Sequence, residues 1–286
     1  MQINKYNLIF SVKKSVVKLN SNKLMIVGGI YSNVEALKKF LNIIQKPINK
    51  KIPVINTGDI FAYFSEPDQA IDLVKKNNFL SIMGNCEESI AFDANDCGCG
   101  FKKNSTCDLL TTQWFPYSKK NISLKNKQWL KKLPYEITLK YKSKKYLVCH
   151  GSPRKINEFI LPSTNKTIIK NLLKNYNGVI GGHSGIPFTR YIKDRFWHNS
   201  GAIGLPPNDG TNKGWYSIID LENDTIEHKS FTYNHLTTFK KMMKIKLNVH
   251  YAKTLKSGYW PSTDIFKEYD LNILKSPIPR QGIIYR

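Results

Sequence analysis

The stretch Ile52-Pro53-Val54-Ile55-Asn56-Thr57-Gly58-Asp59 decides the fold. A short apolar run reads as a buried strand, and it stops at a glycine followed directly by a carboxylate. The same arrangement stands on either side. Residues 24–27 are apolar and end in Gly28-Gly29, and residues 79–83 end in Gly84-Asn85. Between the first two runs, Val34, Leu37, Phe40, Leu41 and Ile44 recur at helical spacing, with Ser32 and Glu35 placed as in a capping box. Between the second and third, Ser65-Glu66-Pro67 leads into a helix over 68–76, with proline near its first turn. Strands alternating with amphipathic helices imply βαβ units and a mostly parallel sheet over roughly the first ninety residues.

Farther along, the Cys- and Gly-rich segment 95–107 reads as a loop insertion. Helices are expected over 107–117, 124–133 and 164–175, an antiparallel strand pair at 135–141 and 145–149, and a strand at 178–181. Further strands are read at 190–198, 214–220 and 225–233. After residue 234 the pattern turns helical through 244 and again at 250–255, and beyond Pro261 it becomes a polar tail without a period. The organisation expected is an N-terminal extension (1–23), one domain (24–233), and a C-terminal helical extension and tail (234–286). No repeat and no long linker divides the chain.

Lys and Arg number 44 against 21 Asp and Glu, a formal charge of +23. Such a surplus favours phosphate-bearing partners and predicts a general affinity for polyanions, nucleic acid included. The cations are spread along the whole chain among Asn and Ile, as A+T-rich coding produces, so they do not single out a dedicated interface. A hydrophobic share of 41% excludes a wholly disordered chain. No run reaches the ~18 apolar residues of a membrane span, so no membrane partner is expected. The first 23 residues lack the apolar core of a signal peptide, and a cytoplasmic location is expected. Five cysteines, an odd number without a secretory signal, predict reduced thiols.

The informative polar residues sit at strand ends. Asp59, Asn85 and His150 each follow an apolar strand and stand next to or close by a glycine, and His183 follows Gly181-Gly182. In a sheet with parallel strands these ends line one crevice. One carboxylate, one amide oxygen and two imidazoles form a ligand set suited to a divalent transition metal such as Mn, Fe or Zn.

Taken together, Gly58-Asp59, Gly84-Asn85-Cys86-Glu87, His150-Gly151 and Gly182-His183 resemble the calcineurin-like metallophosphoesterases. That family's pattern runs Asp-x-His, Gly-Asp, Gly-Asn-His-Asp/Glu, a His, then Gly-His-x-His. The resemblance spans about residues 24–220 and includes an Asn-x-Gly-like turn at 199–201; the stretch 196–216 is similar to a largely uncharacterised branch. It implies an α/β fold of the family's four-layer α/β/β/α kind, with two mixed sheets face to face and helices outside. It also implies a phosphate-ester substrate and metal-dependent hydrolysis.

The chain departs from the pattern in one place consistently. The family's Asp-x-His falls on Gly29-Ile30-Tyr31, and the last His of Gly-His-x-His falls on Gly185. All three losses belong to one of the family's two metal sites, leaving it only Asp59. The other set, Asp59, Asn85, His150 and His183, is complete. The resemblance therefore implies a phosphoesterase with a single retained metal site, or else a degenerate member that binds a phospholigand or nucleic acid without chemistry.

Three residues are candidates for catalytic roles. Tyr31 can hydrogen-bond a phosphate or ligate through its phenolate. Cys86, at the family's leaving-group His, can donate a proton. His198, beside Asn199 at a turn, can contact phosphate. Glu87 matches the acidic position that orients the absent His. Cys97, Cys99 and Cys107, with or without Cys86, can hold a structural zinc; a thiol enzyme built on Cys86 and Cys97 is a further alternative. Cys149 is expected to face the core, and Trp114, Phe115, Tyr117, Trp215 and Tyr216 read as core residues.

Overall fold

Along Leu24-Met25-Ile26-Val27 the side chains point alternately into two different apolar layers, and this period of two organises the molecule. The computed structural model describes residues 14–275 and 284–285. In chain order it runs β1 (Lys14–Lys18), β2 (Lys23–Val27), α1 (Val34–Ile44), β3 (Val54–Asn56), α2 (Pro67–Lys76), β4 (Leu80–Ser81), α3 (Asn85–Ala91), α4 (Thr106–Asn121) and α5 (Leu124–Leu130). The second half continues with β5 (Glu136–Tyr141), β6 (Lys144–Cys149), α6 (Lys166–Leu172), β7 (Gly178–Gly181), β8 (Pro187–Ile192), β9 (Arg195–Ser200), β10 (Gly214–Asp220) and β11 (Thr225–Phe231). It ends with α7 (His235–Lys244), α8 (Val249–Ser257), α9 (Glu268–Leu274) and β12 (Ile284–Tyr285).

Two six-stranded sheets form, in the orders β1-β5-β6-β7-β9-β8 and β12-β11-β10-β2-β3-β4. Both are mixed. In the second, β2, β3 and β4 run parallel while β10 pairs antiparallel to β2. In the first, β6, β7 and β9 run parallel while β5 pairs antiparallel to β6. Leu24 and Ile26 of one sheet meet Ile137, Tyr146, Val148 and Ile180 of the other, giving the middle of the sandwich. Met25 and Val27 turn outward to Leu37, Phe40, Ile71 and Trp114 of the covering helices. On the far face, Leu147, Cys149, Val179 and Trp197 meet Ile169 and Leu172 of α6. The layers are therefore α/β/β/α. Truncating Leu24 or Ile26, both fully buried, would cost about 2–5 kcal/mol by the transfer and cavity terms.

Most elements lie where the hydrophobic periods place them, and the differences have local causes. The N-cap of α1 is Asn33, whose side chain accepts from the Ala36 N–H, one residue after the expected Ser32. The single strand expected over 190–198 is the hairpin β8–β9, turning at Lys193 in the left-handed region. Within the stretch read as an N-terminal extension, β1 pairs with β5. Within the tail read as aperiodic, α9 is anchored by buried Asp270, which accepts from the Ser163 N–H and hydroxyl. Among the described residues no helix is long and apolar enough to cross a membrane.

Candidate metal centre

Parallel pairing of β2, β3 and β4, and of β6, β7 and β9, sends the carboxyl ends of strands from both sheets to one edge. Asp59 comes from the turn after β3, Asn85 from the first residue of α3, His150 from the end of β6 and His183 from the turn after β7. Gly58 takes φ +92°, and a Cβ there would stand 2.7 Å from His150 Nδ1, so the turn needs a residue without one. Asp59 and His183 both occupy the left-handed region, at φ 57° and 59°. Such strain persists only where surrounding contacts overdetermine the backbone.

The four side chains converge on one atom. His150 Nε2 lies 2.9 Å from Asn85 Oδ1, 3.3 Å from Asp59 Oδ2 and 3.2 Å from His183 Nδ1. His150 Nδ1 is 2.6 Å from the Thr57 carbonyl, which can only accept, so Nδ1 carries a proton. Asn85 donates its amide to the Cys97 carbonyl at 2.8 Å, which turns Oδ1 inward. In the neutral imidazole, lone pairs of nitrogen, amide oxygen and carboxylate then face one another. That arrangement is repulsive unless a cation sits among them. Asp59 Oδ1 is buried with no hydrogen-bond partner. Ligand atoms about 2.0–2.2 Å from an ion stand roughly 3 Å apart. That is the spacing of the other three donors from His150 Nε2, and the Asp59, His150 and His183 donors all lie within 4.8 Å of one another. The donor set of oxygens and imidazoles suits a divalent transition metal.

Charges in the site respond to one another. Burial works to raise the Asp59 carboxyl, but the adjacent His150 outweighs it and holds the group below its ordinary value. Burial works to lower His150, and Asp59 outweighs it in turn. His183 is pushed down to about 3 by burial and by His150 beside it. It is therefore neutral and able to ligate.

Behind the cluster, Glu87 is fully buried and its carboxylate accepts three backbone N–H groups: Gly84 at 2.9 Å, Asp59 at 2.8 Å and Ile60 at 2.7 Å. Burial, and then the charge of Asp59, push it up to about 7. The sequence left its role open, because nothing local shows that Glu87 reaches back to the preceding strand's turn. Asn199 plays a similar part for the other sheet. Its amide donates to the Gly182 carbonyl at 2.7 Å, and its oxygen accepts from the Gly201 N–H at 2.9 Å, forming the expected turn.

Tyr31 fills the place of the missing ligands. Its ring packs where a side chain on Gly29 would stand, so that any Cβ at position 29 would overlap it. A Cβ on Gly185 would lie 3.5 Å from the Tyr31 hydroxyl. All three changed positions thus meet around one aromatic ring. Burial, and then Asp59, raise the phenol well above its ordinary value, so Tyr31 stays neutral and a phenolate ligand is not what this pocket favours.

The remaining candidates divide. Cys86 is buried, and burial with the charges of Asp59 and Glu87 holds it as a thiol whose sulfur faces the Asp59 carboxylate. His198 does not reach the crevice. It is fully buried, with Nδ1 2.8 Å from Thr189 Oγ1 and Nε2 2.6 Å from Ser217 Oγ, and His228 stacks beside it. A phosphate contact at His198 is therefore corrected to a core histidine. The expected reduced zinc thiols are also corrected. Cys97 and Cys99 are joined as a disulfide, and Cys107 turns to Ser262 and Tyr251 of the C-terminal extension. Cys149, Trp114, Phe115, Trp215 and Tyr216 are buried as expected.

Comparison with known proteins agrees with this fold. A family model described as calcineurin-like phosphoesterase matches residues 23–209. An uncharacterised protein of Methanocaldococcus jannaschii is 29% identical over 242 residues, 78% of this chain and 93% of that protein. Among solved structures, a hypothetical protein from Pyrococcus horikoshii OT3 superposes with a TM-score of 0.71 at 18% identity, over 83% of this chain and 99% of the other. A metallophosphoesterase from Sphaerobacter thermophilus gives 0.65 at 19% identity, over 84% of this chain and 100% of the other. At these identities the two structures speak for the fold.

Proposed function

The chain belongs to the calcineurin-like phosphoesterase family, and from that premise we propose that it hydrolyses a phosphate ester with one divalent ion held by Asp59, Asn85, His150 and His183. The observation that carries this reading is the convergence of the Asn85 and Asp59 oxygens and His183 Nδ1 on His150 Nε2. When bound, such an ion supplies charge neutralisation at the phosphoryl oxygens and a water nucleophile near neutral pH.

The chain's own groups hold that site ready. Thr57 fixes the His150 tautomer through Nδ1, and the Cys97 carbonyl orients the Asn85 oxygen. Glu87 pins the turn that presents Asp59. Tyr31, neutral and with no protein partner for its hydroxyl among the described residues, presents an O–H toward the place of the lost ion. There it can donate to a phosphoryl oxygen. Cys86 is a packing residue that donates toward Asp59, not the acid for the leaving group. With half of the family's two-ion clamp replaced by a phenol, turnover is expected to be slow and best with activated esters.

Elemental analysis of protein purified without chelator tests this reading. One ion per chain is expected, lost in the double variant Asp59→Asn, His150→Ala together with hydrolysis. Two ions per chain would overturn the single-site reading, and equal metal content in both proteins would overturn the ligand assignment.

A further inference from the structure

The mouth of the metal centre is unlike the rest of the surface. The cavity beside Asp59 and His183 is lined by Tyr31, Tyr63, Phe159, Tyr251 and Trp260, with Phe101, Ser184 and smaller apolar residues between them. Among the described residues no lysine or arginine lines it, in a chain that carries 44. Phe159 packs on the His183 ring at 4.2 Å, Tyr31 on Tyr63 at 4.9 Å, and Tyr63 stacks on Tyr251 at 4.1 Å. Trp260 lies over Gly185, where a Cβ would stand 3.6 Å from its indole. Tyr251 and Trp260 both lie beyond residues 23–209, which match the family model.

Charge decides what such a mouth accepts. Among the ligands themselves, a divalent ion beside the Asp59 carboxylate leaves a net charge of one, since Asn85 and the two imidazoles are neutral, and any charge on Glu87 behind the turn only lowers it. A phosphodiester monoanion cancels that charge. A phosphomonoester dianion leaves a surplus negative charge in an aromatic pocket that has no cation among the described residues to pair it, which is costly. The walls meanwhile offer ring faces and edges to an apolar arm.

From these observations, and resting on the phosphoesterase reading, we propose that the site selects phosphodiesters with an aromatic arm over phosphomonoesters, with Tyr251 and Trp260 as its specificity-determining residues. The cavity holds about 30 Å³, room for one or two waters, so a wall must move to admit an ester. Trp260 is the wall suited to moving. It is half-buried on the non-helical stretch between α8 and α9 and is held by two hydrogen bonds, from its N–H to Asn208 Oδ1 and from its indole to the Pro206 carbonyl.

The test compares bis(4-nitrophenyl) phosphate with 4-nitrophenyl phosphate, which share a leaving group, on the Mn-loaded protein. Calorimetric binding of diphenyl phosphate against phenyl phosphate runs beside it. The diester is expected to show kcat/KM higher by about tenfold or more, and Trp260→Ala to lose about tenfold through KM, with Trp260→Phe between. Diphenyl phosphate is expected to bind more tightly than phenyl phosphate, and less tightly to Trp260→Ala. Equal or reversed preference in the unmutated protein, which needs no variant to fold, overturns the proposal. So does unchanged diphenyl phosphate binding in a folded Trp260→Ala. If neither ester is hydrolysed but diphenyl phosphate binds selectively, the hydrolase reading falls and the pocket assignment stands.

Discussion

The carboxylate of Glu87 accepts the backbone N–H of Asp59 at 2.8 Å, so the residue at N3 of α3 governs the turn that carries the carboxylate of the candidate site. Above about pH 7, where Glu87 is ionised, a fully buried carboxylate serving three N–H donors cannot be replaced by an amide without loss. In Glu87→Gln an NH₂ would face one or more of those donors. The expected cost is about 2–4 kcal/mol of stability. Metal affinity should fall by about 10–100-fold, as when a group orienting a ligand is lost. Denaturant unfolding and chelator competition read the two effects separately. Unchanged metal affinity would show that Asp59 is held by other contacts.

Gly29 and Tyr31 should behave as a coupled pair. Alone, Gly29→Ala drives a methyl into the Tyr31 ring, an overpacking cost of about 1–3 kcal/mol. Tyr31→Ala alone leaves a cavity where a 4%-exposed aromatic stood, costing about 3–5 kcal/mol. In the Tyr31→Ala background the added methyl has room, so Gly29→Ala should cost little. Urea unfolding of the four proteins measures the coupling, and strict additivity would place the ring elsewhere.

The convergence of Asp59, Asn85, His150 and His183 was readable in the sequence because each residue is announced within a few positions by an apolar strand and a glycine, as at Ile55 to Asp59 or Val179 to His183. Parallel pairing then does the assembling. What escaped depends on partners far along the chain. Tyr251 stacks on Tyr63 across more than half the sequence, and α9 forms because Asp270 meets Ser163, not because seven residues favour a helix. His198 misled for the converse reason. It stands beside a site-forming turn, but the period of two in β9 sends its side chain inward while Asn199 reaches the Gly182 carbonyl. The β8–β9 turn carries no glycine to reveal it, since Lys193 takes the left-handed conformation itself.

Thiol counting tests the sulfur arrangement. Of five cysteines, Cys86, Cys107 and Cys149 are free and Cys97 is joined to Cys99. Protein unfolded without reductant should therefore react at three thiols, and at five after reduction. Five in both states would mean that the loop carries free sulfurs beside Asn85, and the zinc reading would return.

The buried pair His198 and His228 predicts an acid-sensitive fold with a defined window. In the unfolded chain both imidazoles titrate near 6.5. In the folded chain burial lowers His228 to about 4, and burial together with His228 lowers His198 well below its ordinary value. Above about pH 6.5 both are neutral in either state, and they add no slope. Below it the unfolded chain binds protons that the folded chain refuses, so stability falls as pH drops. The share of His228 is complete near pH 4 and amounts to roughly 3 kcal/mol. In His228→Gln an amide can still donate to Thr189 Oγ1, which His228 Nε2 contacts at 2.9 Å, but cannot titrate. Its stability should therefore decline less steeply than that of the unmutated protein between pH 6.5 and 4, while the metal ligands contribute equally to both. Denaturant unfolding across that range gives the comparison, and parallel curves would mean that His228 is protonated in the folded chain.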